Sequence, residues 1–204
     1  MTTTLAHTAK RLALAIAALA AATSIADTPT LIVWNGEDAA KGGGWAAPQK
    51  DTNSFKAQTA TAKSGDTALE LRLEGGAWMG GGWNWFGWWP EDAGTDTTDH
   101  THLVFWIKQT GNVENLTVAL TCSSTKNATE TVQVATYMKA ADPKNEGWRE
   151  VAIPLADFKA AADKPFDRKT VWGIDFGSWS QDERAFSLFI DDIGFAKREP
   201  IQGW

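Results

Sequence analysis

The sequence of 204 residues has few of the side chains that form disulfides or bind transition metals. It contains one cysteine, Cys122, and three histidines. A single cysteine cannot form an internal disulfide, and Cys122 lies in the strand-like run NLTVALTC, so we expect a buried, inert thiol. With so few histidines, and His7 in a segment that we expect to be removed, the composition argues against a multi-histidine or cysteine-rich zinc site.

Clusters of basic residues and long apolar runs are also lacking. The chain has 19 Lys and Arg against 25 Asp and Glu, a formal net charge of -6. An acidic chain has nothing with which to neutralise phosphates, so nucleic acid is excluded as a partner, and no basic patch fits an anionic membrane surface. The apolar run at residues 12–22 is about half the length that a membrane-spanning helix needs.

The N-terminus has the pattern of a secretory signal peptide over residues 1–26. A polar segment with Lys10 and Arg11 precedes the apolar run, and Ser24 and Ala26 are small residues before an expected cleavage at Asp27. The alternative is a short membrane anchor. We therefore predict an exported protein, periplasmic, cell-envelope or extracellular, whose single domain spans residues 27–204 with a net charge of -8.

Residues 27–204 read as short β-rich runs separated by Gly, Asp, Asn and Pro. In TALELRLEG the leucines alternate with charged residues. In THLVFWIKQ one face carries Leu103, Phe105 and Ile107, and the opposite face carries Val104, Trp106 and Lys108. Period-two alternation with one apolar face is typical of antiparallel sheets packed face to face. We predict an all-β sandwich, a jelly roll with one short helix at residues 154–163, and the runs 31–35, 54–62, 67–75, 83–89, 101–109, 115–122, 130–138, 148–155, 171–179 and 185–197 as strands.

Tryptophan is abundant, with 12 in the chain, and five of them lie in GGAWMGGGWNWFGWWP at residues 75–90. If residues 83–89 form a strand, one face carries Trp83, Trp85 and Trp89, and the other carries Asn84, Phe86 and Trp88. One face packs into the sandwich, and the other presents rings on which apolar sugar faces can stack. We predict ligand-binding roles for Trp78, Trp83, Asn84, Trp85, Trp88 and Trp89, with burial in the core as the alternative.

Four segments in this order, IVWNGEDAAKGGGW, AKSGDTALELRL, GWREVAIPLADF and AFSLFIDDIGF, resemble the jelly-roll carbohydrate-binding modules of the galactose-binding-like superfamily, of the β-glucan-binding type. The resemblance covers residues 30–196. It implies a structural calcium ion held by Glu37 or Asp38, by the turn around Lys63 to Asp66, and by Asp191. The alternative for these acidic residues is loop capping and solvation.

The expected function is non-catalytic binding of a polysaccharide or oligosaccharide. Such modules are usually attached to a catalytic domain, so the alternative is an assembly subunit that turns the same aromatic surface toward a protein or membrane complex. No nucleophile elbow, zinc-protease motif, phosphate loop or dinucleotide fingerprint is present in the sequence. A small glycosidase or lyase acting through two carboxylates is the third reading.

Overall fold

The structure, a computed structural model, describes residues 31–37, 42–74, 78–87, 93–110, 115–122, 127–161, 166–179 and 186–198. Within these ranges the regular elements are short antiparallel strands and three 3₁₀ turns. In chain order, the strands are β1 (Leu31–Trp34), β2 (Gly43–Ala47), β3 (Ser54–Gln58), β4 (Ala68–Leu73), β5 (Trp78–Asn84), β6 (His102–Thr110), β7 (Thr117–Cys122), β8 (Asn127–Ala128), β9 (Val132–Gln133), β10 (Arg149–Pro154), β11 (Val171–Trp179) and β12 (Phe186–Ala196).

The strands form two six-stranded sheets. The first has the order β10-β6-β12-β4-β3, with β1 paired to the C-terminal part of β12. The second has the order β2-β5-β11-β7-β8, with β9 paired to β7. Every pairing is antiparallel and most join strands that are distant in the sequence, as in a β-sandwich jelly roll.

The hydrophobic core fills the space between the sheets. Leu69, Leu71 and Leu73 of β4 are buried, as the alternation in the sequence predicted. The predicted inward set of β6, Leu103, Phe105 and Ile107, is buried as well. From the second sheet, Phe176 meets Phe55 and Phe105 edge-on, with ring centroids 6.2 and 5.7 Å apart. Each fully buried leucine or phenylalanine side chain contributes about 1.5–3 kcal/mol of transfer free energy, so the sandwich needs no disulfide to hold its sheets together.

The predicted helix at residues 154–163 is wrong in kind. Within residues 154–161 only Leu155–Asp157 is helical, as one 3₁₀ turn that follows directly from β10. Leu155 and Phe158 are buried, so the apolar spacing reflects a turn packed on the core. Three residues of 3₁₀ turn satisfy this packing without a longer helix.

The expected signal peptide, residues 1–26, lies outside the described residues. Within the ranges that the structure describes, no helix is long and apolar enough to cross a membrane.

Candidate functional site

The outward face of the second sheet carries the most unusual surface of the described chain. Trp83 points into the core, where its ring lies 5.7 Å from Phe55 and 6.2 Å from Trp34 between centroids. Because side chains alternate along a strand, the even-numbered residues of β5 from Trp78 to Asn84 face outward. Two of these outward positions, Gly80 and Gly82, have no side chain and leave the backbone open to neighbouring rings.

Three consecutive glycines in β5, residues 80–82, allow close contacts on both faces of the second sheet. A Cβ atom on Gly81 would lie 2.5 Å from Leu71 Cδ1 and 2.7 Å from the Trp45 carbonyl oxygen, so this inward position must stay small. On the outward face a Cβ atom on Gly80 would lie 3.0 Å from Trp78 Cζ2. Glycine in a strand interior marks a close approach, and here the groups that approach are a core leucine and an indole ring.

Trp78 lies over the outward glycines of two adjacent strands. Its ring sits above Gly80, and its Nε1 would be 3.7 Å from a Cβ atom on Gly177 of β11. Gly80 and Gly177 are register partners, so the indole spans the β5–β11 pair. The side chain is 40% exposed, which makes it one of the few exposed large hydrophobic residues of the described chain.

Trp45, on the edge strand β2, lies over the next glycine along β5. It is the register partner of Gly82, and Gly82 is in turn the partner of Asp175 on β11. A methyl group on Gly82 would overlap both the Trp45 indole nitrogen and Asp175 Oδ1, so the ring reaches across the glycine to the acid. Outward positions two residues apart on a strand are about 7 Å apart, so Trp45 and Trp78 form neighbouring halves of one aromatic platform.

Asp175 lies at the edge of this aromatic platform and is half-buried. Burial raises the pKa of Asp175 to about 7, and the hydrogen bond from the Trp45 side chain opposes that rise. The carboxyl group therefore titrates near neutral pH. A desolvated acid in an aromatic surface is typical of a functional site.

Two of the tryptophans predicted to bind ligand lie in the core. Trp83 is 5% exposed and Trp85 is 4% exposed. The Trp85 ring packs edge-on against Phe195 at 6.3 Å, and its Nε1 donates to Thr95 Oγ1 at 3.1 Å. The prediction put both rings on one face of a strand at residues 83–89. In the structure Trp83 points inward from β5 and Trp85, which follows the end of that strand, also packs inward, so neither ring offers a stacking surface.

The other predicted ligand residues have different positions. Trp78 is exposed on the aromatic platform. Asn84 is buried at the end of β5, where the Asn84 Oδ1 accepts the Phe86 N–H at 3.0 Å. This side-chain turn ends β5 at Asn84 and explains why the strand lies at residues 78–84 rather than 83–89. Trp88 and Trp89 lie outside the described residues.

Two of the acidic residues predicted to bind calcium, Glu37 and Asp191, contact the same turn. The fully buried Asp191 accepts the N–H groups of Lys63 at 2.8 Å and Ser64 at 3.2 Å. Glu37 Oε1 accepts the N–H groups of Asp66 at 2.8 Å and Thr67 at 3.4 Å. The two carboxylates thus hold residues 63–67 between them.

These carboxylates fit calcium in part. A carboxylate has about four acceptor sites, and the described hydrogen bonds leave some of those on Glu37 and Asp191 free for a hard cation. Asp66 is exposed, and Asp38 lies outside the described residues. In the part of the chain that the structure describes, no three His, Cys, Asp or Glu side chains cluster closely enough to hold a metal ion by themselves, so backbone oxygens would have to complete the shell.

Sequence reasoning missed Trp45 and Asp175 as site residues. The segment VWGIDFGSW, residues 171–179, contains a usable signal, because Gly173, Asp175 and Gly177 alternate with apolar residues. An acid flanked by glycines on the polar face of a strand indicates that something approaches the backbone there. The sequence does not show that Trp45 is the residue that covers Gly82, since that contact depends on strand pairing.

Comparison with known families identifies the chain. The profile of the family described as Carbohydrate binding domain 30 matches residues 30–197. The chain belongs to this family. The resemblance seen in the sequence is therefore confirmed at the level of the family and its β-sandwich fold, and family membership supports carbohydrate binding as the function.

Solved structures share the fold at low sequence identity. The family 30 carbohydrate-binding module of the cellulosomal cellulase Cel9D-Cel44B of Clostridium thermocellum is 17% identical, with a TM-score of 0.57 over 85% of this chain and 96% of that one. A family 11 carbohydrate-binding module from Clostridium thermocellum, in complex with a β-1,3-1,4-mixed-linked tetrasaccharide, is 12% identical, with a TM-score of 0.53 over 83% and 96% of the two chains.

The similar structures include enzymes. The β-1,2-glucanase from Parabacteroides distasonis is 15% identical, with a TM-score of 0.58, and the match covers 85% of this chain but 25% of the enzyme. No curated protein matches the sequence.

Proposed function

We propose that this member of the family binds a polysaccharide without catalysis, and that the binding surface is the aromatic platform of Trp45 and Trp78. The observation that carries the proposal is the pair of indole rings laid over outward glycines of one sheet face. Sugar rings present apolar C–H faces, and an indole face is electron-rich, so a row of rings supports successive sugars. Trp88 and Trp89, which follow β5 in the sequence, remain predicted additions to this surface.

The chemistry of the platform supports a chain ligand over a small one. Trp45 and Trp78 occupy neighbouring rows about 7 Å apart, a separation that lets two units of one chain stack together. The glycines beneath the two indoles let the rings lie close to the sheet, which leaves the space above the rings for the ligand. The family 11 module similar in fold holds a mixed-linked tetrasaccharide, which is a ligand of this kind.

Affinity electrophoresis against β-glucans, xylans and mannans tests the proposal. Retardation by at least one glycan is expected for the unaltered protein. Trp78→Ala should weaken it about tenfold, the equivalent of losing about 1.4 kcal/mol. Trp106→Ala is the matched control, because Trp106 is a half-buried tryptophan on β6 of the opposite sheet, under Lys63. Trp106→Ala should leave the retardation by the glycan unchanged.

Three outcomes would contradict the proposal. If the protein is folded and no glycan retards it, polysaccharide binding is refuted. If Trp78→Ala and Trp106→Ala lose the same amount of retardation, the aromatic platform is not the binding surface. Turnover of a labelled glycan would contradict the absence of catalysis. Stable co-purification with one protein or membrane complex at fixed stoichiometry, without glycan binding, would favour the alternative of an assembly subunit.

The proposal includes export, directed by residues 1–26, and a structural calcium ion at the turn between Glu37 and Asp191. There the two carboxylates would supply charge, and backbone oxygens of residues 63–66 would complete the coordination. Its role would be to hold this turn against β12 and offset the cost of burying Asp191, whose pKa burial raises to about 6 despite three backbone N–H donors.

A further inference from the structure

Among the described residues of the second sheet, Asp175 has no charged neighbour on its face of the sheet. Within the described strands of the second sheet, the outward neighbours of Asp175 across the sheet are Gly82 on β5 and Ala119 on β7, and those along β11 are Gly173 and Gly177. The nearest outward positions on β2 and β7 add only uncharged side chains, namely Trp45, Ala47, Thr117 and Thr121. No described group that faces Asp175 from β2, β5 or β7 is basic or titratable.

The carboxyl group of Asp175 also has unused hydrogen-bonding capacity. A carboxylate offers about four acceptor positions, and the described donor to Asp175 is the Trp45 indole. A half-buried acid that lacks a positive partner is costly to ionise. A further hydrogen-bond donor would offset this cost. Asp175 shares the outward face of the sheet with Trp45, one strand away across Gly82, so a sugar stacked on Trp45 would lie beside it.

We infer that Asp175 is the specificity-determining residue of the aromatic platform: it accepts hydroxyl groups of a neutral sugar stacked on Trp45 and excludes anionic glycans. The inference rests on the proposed function. Adjacent hydroxyl groups can donate to the two oxygens of one carboxylate, and a hydrogen bond to a charged acceptor is stronger than one to a neutral acceptor. A uronate or sulfated sugar in the same place would set two negative charges together, with no described cation on this sheet face to separate them.

The pH dependence of binding distinguishes a sugar that donates hydrogen bonds to Asp175 from one that only shields Asp175 from water. If sugar hydroxyls donate to the carboxylate, the ligand favours the ionised form, and affinity rises as pH increases through the pKa of about 7. If a sugar simply covers Asp175, desolvation favours the protonated form, and affinity falls over the same interval. The two readings therefore differ in sign.

Calorimetry with soluble mixed-linkage β-glucan and with polygalacturonate, at pH values from 5 to 8, tests the inference in the full protein. The expected result is about tenfold tighter binding of the neutral glucan at pH 8 than at pH 5, and no binding of polygalacturonate at pH 8, where Asp175 is ionised. Asp175→Asn should bind the glucan with low affinity at every pH. Asp142→Asn is the control, because it makes the same change at an exposed cap where Asn serves equally well.

The outcomes distinguish this inference from the proposed function. If the unaltered protein binds neither this glucan nor any other glycan, the proposed function fails. If it binds glucan with the same pH profile as Asp175→Asn, or more tightly at low pH, the role of Asp175 is refuted while the platform stands. Equal binding of polygalacturonate and glucan at pH 8 refutes the exclusion of anions. The pH profile of the unaltered protein needs no variant, so misfolding of Asp175→Asn would leave the decisive measurement intact.

Discussion

Replacing Asp175 by asparagine should stabilise the ligand-free protein, and the gain should depend on pH. In the folded protein, burial raises the pKa of this group from its ordinary value of 3.8 to about 7. A carboxyl group with a raised pKa favours folding when it is protonated. Its contribution is therefore present at pH below 3.8, decreases as pH rises toward 7, and is lost above 7.

The size of the effect follows from that difference in pKa. An interval from 3.8 to about 7 corresponds to about 4 kcal/mol as an upper limit. Because Asp175 is half-buried and solvent screens it in part, we expect a difference of about 2–4 kcal/mol between Asp175→Asn and the unaltered protein at pH 8. Near pH 4 the difference should approach zero. Asn keeps an oxygen that can accept the Trp45 indole N–H, so this hydrogen bond need not be lost.

Urea unfolding at pH 4 and at pH 8, in the presence of a calcium chelator, measures both free energies. Asp191 also has a raised pKa, of about 6, but it is present in both proteins and cancels from the difference. A difference in unfolding free energy that is the same at both pH values would refute the reasoning, because a packing effect does not titrate. If Asp175→Asn is less stable than the unaltered protein at pH 8, other groups of the folded protein must stabilise the ionised carboxylate of Asp175.

Three further predictions concern the sheet and the calcium turn. Gly82→Ala should displace Trp45 and weaken glycan binding at least as much as Trp45→Ala does, as affinity electrophoresis would show; unchanged binding would mean that the ring need not lie over β5. Leu71→Ala should lower the unfolding free energy by about 2–5 kcal/mol in urea, and a smaller loss would mean that the core collapses around the cavity. Millimolar calcium should raise the melting temperature of the unaltered protein and leave that of Asp191→Asn unchanged, whereas equal responses would contradict a site at this turn.

The sequence predicted the parts of the fold in which one strand alternates clearly. β4 buries its three leucines, and β6 buries Leu103, Phe105 and Ile107, as the alternation alone predicted; Val104 on the other face of β6 is buried in addition. The pattern fails where glycine removes the side chains. β2, with the sequence GGWAA, was not predicted, since a run of glycine and alanine has low β-propensity and no apolar periodicity.

The candidate site was predicted in part for the same reason. The segment at residues 75–90 was identified, and Trp78 lies on the platform, but the strand was placed five residues too late because the glycines before Trp83 did not read as strand. Trp45 comes from another strand, and Asp175 from a third, so the residues meet only through pairing across β2, β5 and β11. Such long-range register cannot be read from local sequence.

The glycines of β5 have a consequence for how the sheet itself is maintained. A strand interior of three glycines loses more chain entropy on folding than any other residues would, and it has no side chains of its own to keep water from its hydrogen bonds. Trp45 lies on the edge strand β2, and Trp78 lies at the start of β5. Their indole rings cover this glycine backbone. The rings therefore cover the strand when no sugar is present, so replacing either tryptophan should lower the stability of the sheet as well as the affinity for the ligand.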